Sequence, residues 1–152
     1  MNLDERLLDA LGTMWSEADP CPADLADRAL FRLELEHLDV EVMAAQIALS
    51  GAGARGPEVA STIIFESPSL SLTVMVTPAT RNRRRVDGWI TPPAALTVRL
   101  HSPEGVREAP ADEYGRFVFD DVPSGLVHLT VEPGAGAVPR LDRPVATPAF
   151  TV

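Results

Sequence analysis

The chain has 152 residues, of which 45% are apolar and 23% charged, so it can form one domain without a metal or a disulfide. Its formal net charge of −9 argues against direct binding to nucleic acid or to an anionic membrane, because both need a basic surface. The single cysteine excludes an intramolecular disulfide and a thiolate zinc cage, and the absence of lysine excludes Schiff-base chemistry.

The N-terminal residues do not have the pattern of an export signal. A secretory signal starts with basic residues and continues with an apolar run of about 7–15 residues, whereas this sequence starts MNLDER. No stretch approaches the roughly 18 apolar residues of a membrane helix. The sequence therefore predicts a soluble, cytoplasmic protein that does not bind membranes.

The first predicted element is an amphipathic helix that begins near Leu3 and ends before Asp19. Its apolar residues recur with a period of 3.6 residues: Leu3, Leu7, Leu8, Leu11, Met14 and Trp15. This apolar stripe either covers the rest of the protein or is offered to another protein. Trp15 is therefore a candidate contact residue for a partner.

A second helix is predicted from about residue 23 to residue 50. Phe31, Leu35, Leu38 and Val42 follow helical spacing, and residues 43–48 are mostly good helix formers. Residues 33–37 alternate like a strand, so a break near residues 35–38 stays open. The glycine-rich residues 51–58 are typical of a linker.

From residue 59 onward the pattern is typical of short strands separated by Pro, Gly, Ser and Asn. The predicted strands are residues 61–66, 70–77, 85–91, 96–101, 106–109, 116–119, 126–132 and 149–152. Short strands at this spacing predict an antiparallel sandwich or barrel. The fourteen prolines in the chain fit its turns and edges.

Charge is divided unequally along the chain. Residues 1–50 hold 11 acidic and 3 basic residues, a net charge of −8, whereas residues 51–152 carry a net charge of −1. We therefore expect the helical segment to present the surface that binds a protein partner. Its candidate acidic contacts are Glu34, Glu36, Asp39 and Glu41.

One basic run, residues 81–85, contains the candidate binding residues Arg83, Arg84 and Arg85. Three interpretations stay open. The run could bind phosphate or an acidic partner, it could form a solvated hairpin loop, or it could face the acidic helices of its own chain.

No residue pattern predicts catalysis, a cofactor or a metal. His37, His101 and His128 are far apart in sequence, so there is no local pair of metal ligands. Ser124 lies in a Pro-Ser-Gly turn rather than a nucleophile elbow, and Cys21 has no adjacent base and is expected to be partly buried.

Residues 86–90 (VDGWI), 96–100 (LTVRL) and 111–131 (ADEYGRFVFDDVPSGLVHLTV) resemble a carboxypeptidase-regulatory-like domain. The shared pattern is a polar turn ending in glycine, an aromatic strand, a Val-Pro-x-Gly turn and an alternating strand. The resemblance implies a transthyretin-like sandwich with Trp89 packed inside it.

The wider arrangement is similar to a group of actinobacterial proteins. The similarity rests on the helix with DPCPADLADRALF (residues 19–31), the glycine-rich joint, LTVMV (residues 72–76) and the motifs above. Genes for these proteins typically lie beside those for extracytoplasmic-function sigma factors and caspase-like CHAT proteins. The resemblance implies a regulatory role, with a sigma factor or a component of a CHAT-protease system as partner.

The sequence as a whole predicts an α+β protein. An acidic helical segment (1–50) precedes a linker (51–58) and an antiparallel β-sandwich (59–152) of the transthyretin-like, carboxypeptidase-regulatory-like kind. The predicted function is a non-catalytic, regulatory protein-interaction module without a cofactor. The alternatives are a ligand-binding or hydrolytic sandwich with a site assembled by the fold, and a structural subunit of a homo-oligomer.

Overall fold

The computed structural model describes residues 3–23, 25–36, 39–50, 60–134 and 140–152. Two helices, α1 (Leu3–Ala18) and α2 (Leu25–Glu36), come first and strands follow. The coarse prediction of an α+β protein with mostly antiparallel sheets is confirmed. No helix in the described part is long and apolar enough to cross a bilayer.

Eleven strands are found among the described residues. They are β1 (Glu41–Val42), β2 (Ala44–Ser50), β3 (Ser61–Glu66), β4 (Ser71–Thr80), β5 (Arg83–Thr91), β6 (Thr97–Ser102), β7 (Gly105–Pro110), β8 (Arg116–Pro123), β9 (Leu126–Glu132), β10 (Val145–Ala146) and β11 (Phe150–Thr151). One sheet has the order β2-β3-β4-β5-β8, and the other has the order β1-β10-β9-β6-β7, with β11 also paired to β9. Every pair is antiparallel except β1 with β10.

The hydrophobic core is shared by the two sheets. Alternate residues of β4, such as Leu72 and Val74, are completely buried, and so are Val98, Leu100 and Leu129 from the other sheet. All five belong to a single cluster of buried side chains. The period-2 alternation of these strands thus directs one apolar face of each sheet into the same core.

The second predicted helix is wrong beyond Glu36. Residues 41–42 and 44–50 are strands, with β1 paired to β10 and β2 forming the edge of the five-stranded sheet against β3. Met43 lies between them and is 2% exposed within the core. Burial of Met43 and backbone pairing outweigh the helix propensity of this segment, because propensity is a weak preference that tertiary contacts override. The sheets thus begin at Glu41, ahead of the boundary predicted at residue 50, and the predicted linker at 51–58 lies outside the described residues.

The strands predicted from residue 61 onward are confirmed, with small changes of boundary. β3 and β9 have the predicted bounds, whereas β4 and β8 extend beyond the residues predicted for them. β8 continues to Pro123 through an irregularity at Asp121, whose positive φ of 58° belongs to a bulge opposite β5. The short strand β10 lies in a segment where no strand is predicted.

Candidate functional site

Helix α1 presents its apolar face to solvent. The large apolar side chains of that face that the structure describes are exposed: Leu7, Leu8, Leu11, Met14 and Trp15. Leu8 and Trp15 are exposed by 68% and 67%. The helix is closed at its C-terminal end by the hydrogen bond that the Asp19 amide donates to the carbonyl of Trp15, and Pro20 follows directly. The predicted contact residue Trp15 thus lies on a regular, solvent-facing helix.

Helix α2 also exposes apolar side chains and adds acidic charge. Leu25 and Leu30 are 50% and 60% exposed. The predicted contacts Glu34 and Glu36 belong to the last turn of α2, where no basic residue is present. Residues 1–36 hold nine acidic and three basic residues, so they carry a net charge of −6.

Two of the predicted acidic contacts are not on a helix and bind within the chain. A carboxylate oxygen of Asp39 lies 3.2 Å from Nη1 of Arg143. Glu41 begins β1 and accepts hydrogen bonds from the amide of Ser69 at 2.9 Å and from its hydroxyl at 2.7 Å. Burial opposes ionisation of Glu41, but hydrogen bonding from Ser67 and Ser69 and the charge of Arg143 outweigh it and lower its pKa. Glu41 therefore anchors β1 to the turn between β3 and β4.

The arginine run lies at a turn and at the start of a strand rather than in a solvated loop. Arg83 begins β5, and its guanidinium contacts Glu104 at 2.8 Å and Asp121 at 3.7 Å. The hydrogen bond to Glu104 raises the pKa of Arg83. Arg84 donates to the backbone carbonyl of Thr80 at 3.2 Å. These arginines hold neighbouring strands of the same chain together.

Arg85 completes the set of ion pairs across the sheet. Its guanidinium contacts Asp87 on its own strand at 2.9 Å and Asp120 on β8 at 2.7 Å. The bulge at Asp121 offsets the two consecutive carboxylates, so that Asp120 binds Arg85 while Asp121 binds Arg83. The ion pairs of this run are thus formed with carboxylates of the sheets, not with those of the helices as the intramolecular interpretation expects, and binding of phosphate or of an acidic partner stays a prediction.

Trp89 does not pack into the core. Its neighbours on β5, Gly88 and Ile90, are buried, and Trp89 points to the other face of the sheet, where it is half-buried. The place expected for an aromatic ring inside the core is taken by Phe117, whose ring lies directly against the backbone of Gly88. The expectation that Trp89 is a core residue is therefore wrong by one position in the strand alternation.

The sheets bring together two histidines that are separate in sequence. His101 on β6 and His128 on β9 are directly opposite each other in the pairing of the two strands. Their rings stack with centroids 4.2 Å apart and planes 9° from parallel. Burial, followed by the charge of Arg99, lowers the pKa of His101, and burial together with the charge of His101 lowers that of His128 to about 4. Both imidazoles are therefore neutral at pH 7.

Ser124, Cys21 and Asp112 lie in turns and loops outside the helices and strands. Ser124 lies in the turn between β8 and β9, which belong to different sheets, so the expectation of a hairpin turn is wrong and the turn crosses from one sheet to the other. Cys21 is exposed rather than partly buried. Asp112 uses its carboxylate to accept hydrogen bonds from the amides of Tyr114 and Arg116, which shapes the turn before β8. Within the described part of the chain, no group of three or more His, Cys, Asp or Glu residues could hold a metal ion.

Comparison with protein-family models, with curated proteins and with solved structures finds no match to this chain. The resemblance drawn from the sequence motifs accordingly stays a prediction.

Proposed function

We propose that this protein is a non-catalytic interaction module that binds another protein through the exposed apolar face of α1 and α2. The partner surface has an apolar centre and a rim of lysine and arginine. The observation that carries the proposal is the row of exposed large apolar side chains on α1, from Leu7 to Trp15, in a chain whose two sheets share a core without them.

The length of α1 supports a role in binding. A helix of 16 residues is only marginally stable by itself in water, and helices in proteins gain most of their stability by burying an apolar face. Among the described apolar side chains of this face, even the least exposed, Leu11, is 43% exposed. A partner that covers Leu8, Leu11 and Trp15 removes this apolar surface from water.

Charge determines which partner fits. With a net charge of −6, the helices of one copy repel those of a second copy, so the charge argues against self-association through this face. Both helices also lack a basic residue in the last turn, where the helix dipole is negative, and α1 has Glu17 there. A cationic partner surface compensates both the side chains and the dipole.

We also propose that the two sheets form a transthyretin-like β-sandwich. Two mostly antiparallel sheets with one common core are consistent with a β-sandwich, and the motifs between residues 86 and 132 favour its transthyretin-like form. In this proposal the sandwich is a rigid carrier whose arginines are occupied by its own carboxylates. The resemblance of the whole chain favours a regulatory partner, either a sigma factor or a component of a CHAT-protease system.

The test uses the full chain as bait in lysate of its native host, and then the captured protein in purified form. We expect Trp15→Ala to lower the affinity for that protein by about tenfold or more, as for an aromatic residue at the centre of an interface. The matched control is Tyr114→Ala, because Tyr114 on the turn before β8 is also 67% exposed. If both substitutions have the same effect on affinity, the helical face is not the binding site.

A second pair of variants tests the charge argument. We expect Asp9→Asn with Glu17→Gln to slow association and to weaken its dependence on salt, because steering charges act mainly on the association rate. Glu113→Gln also removes an exposed carboxylate, but from outside the helices, and should leave the rate unchanged. Equal association rates for all variants contradict a basic partner. Light scattering tests the other occupant: if the unmodified chain is a dimer and Trp15→Ala makes it a monomer, the face binds a second copy of the chain.

A further inference from the structure

We propose that His101 and His128 form a binding site for a divalent transition-metal ion of the kind that prefers imidazole ligands, such as Zn²⁺, Cu²⁺ or Ni²⁺. The site lies on the outer face of the six-stranded sheet, on β6 and β9. It is separate from the helical face proposed to bind a protein, and neither proposal depends on the other.

The strand pairing places both ligands at the same point of the sheet. His101 and His128 are direct cross-strand partners, and side chains in such pairs have Cβ atoms about 4.5–5.5 Å apart. Leu100 and Leu129 are also paired and point into the core, so the two imidazoles share the opposite face. Register and alternation therefore fix the pair without any loop being involved.

The pair is close enough for a shared metal ion, but both rings must turn to bind it. The ring centroids are 4.2 Å apart and the planes 9° from parallel, so the nitrogen lone pairs, which lie in the ring planes, do not converge in the stacked arrangement. A metal ion bound at about 2.0–2.1 Å from each nitrogen requires two ring nitrogens roughly 3–3.5 Å apart. In this proposal the rings leave the stack by rotation about their side-chain torsions when the metal binds.

The ion pairs of Arg99 limit its repulsion of a cation at this site. Arg99, on the same strand as His101, is paired with Glu108 at 2.6 Å and with Glu132 at 3.2 Å, so its positive charge is partly compensated.

The Thr130 hydroxyl orients one of the ligands. Its oxygen lies 3.3 Å from Nε2 of His101, which leaves Nδ1 as the nitrogen available to a metal. Such hydrogen bonds fix the ring orientation of metal-binding histidines in proteins. Water molecules would complete the coordination of an ion held by two imidazoles, and the affinity is accordingly modest.

The experiment is a calorimetric titration of the full chain, freed of metal by a chelator, with Zn²⁺, Cu²⁺ and Ni²⁺ separately. We expect one ion per chain, and a loss of affinity of about tenfold or more, corresponding to about 1.4 kcal/mol, in either His101→Gln or His128→Gln. His37→Gln is the matched control, because it removes the third histidine of the chain and should leave the affinity unchanged.

A measurement on the unmodified chain guards against variants that fail to fold. Bound Cu²⁺ should show two nitrogen ligands in its electron paramagnetic resonance spectrum, and Zn²⁺ should shift the ring NMR signals of His101 and His128 together. The proposal is overturned by binding that is equal in all three variants, by binding that depends on His37, or by a metal that leaves both ring signals unshifted.

Discussion

Gly88 shows how one missing side chain determines the packing of a core aromatic ring. A Cβ atom at this position would lie far inside contact distance of the Phe117 ring. Phe117 has no space to retreat, because it is 2% exposed and its ring contacts Phe119 with centroids 5.9 Å apart. Gly88→Ala therefore overpacks the core, and we expect it to destabilise the fold by about 1–3 kcal/mol.

Urea denaturation checks this expectation through the midpoint of the sheet transition, at unchanged slope. The control is Gly12→Ala on α1, where a Cβ atom meets nothing within 4 Å. That substitution should raise helical content, since alanine is favoured over glycine in a helix by about 1 kcal/mol, and it should not lower the midpoint. An unchanged midpoint in Gly88→Ala means that Phe117 can move aside.

His128 makes the stability of the fold depend on pH. Its pKa is about 4 in the folded chain against an ordinary value of 6.5, so between these values the unfolded chain binds a proton that the folded chain does not. The stability associated with His128 is thus complete above about pH 6.5 and is lost as the pH falls towards 4. We expect a loss on the order of 1–2 kcal/mol, below the full linkage value because the ring is only partly buried.

The measurement is the free energy of unfolding of the wild type and of His128→Gln, from pH 7.5 to pH 4.5 with a chelator present. Arg99 and Glu132, whose charges act on His101, are retained in both proteins. The difference between the two curves should therefore change across this window. Curves that run parallel would show that His128 takes up its proton equally in the folded and unfolded chains.

At the scale of elements, the sequence predicted strand bounds best where turn residues follow the strand. β3 and β9 have the predicted bounds and are followed by Ser-Pro and Pro-Gly, whereas the strictly alternating β4 extends beyond its predicted end. The segment around Ala44–Ser50 was predicted wrongly because it is rich in helix formers and is a strand only through pairing with β3. Its structure depends on contacts that a local pattern does not contain.

The candidate binding residues also differ in whether a local pattern or a tertiary contact determines their position. The spacing of its apolar neighbours predicts that Trp15 lies on a helix, but it does not show whether that face is buried or exposed. Glu41 was misplaced together with β1, and its carboxylate anchors that strand to Ser69. The ion pairs of Arg83 and Arg85 depend on the bulge at Asp121, which the sequence DDVP does not reveal.

At the scale of the molecule, the order of strands in the sheets carries the information that the sequence lacks. β6 and β9 are adjacent although β7 and β8 lie between them in the chain. Only this adjacency brings His101 to His128. The outward position of each histidine follows from alternation with Leu100 and Leu129, so the sequence could predict that both side chains are outside the core. It could not predict that the two histidines are neighbours.

The exposed helices imply that the sheets fold without them. Every helical residue whose side chain is described is exposed, whereas Met43, which follows both helices, is buried in the core. We expect the truncated chain 39–152 to lose its helical circular dichroism but to keep its unfolding free energy within about 0.5 kcal/mol. The chain 51–152 also lacks β1, β2 and Met43.

We expect that shorter chain to be less stable by about 2–5 kcal/mol, because it loses a buried methionine and an edge strand, and to aggregate through the uncovered edge of β3. Chemical denaturation of the three chains, followed by the fluorescence of Trp89, compares them directly, since Trp89 is the tryptophan that all three retain. If the chain 39–152 is as unstable as the chain 51–152, the helices contribute to the fold itself, and their apolar face is not free to bind a partner.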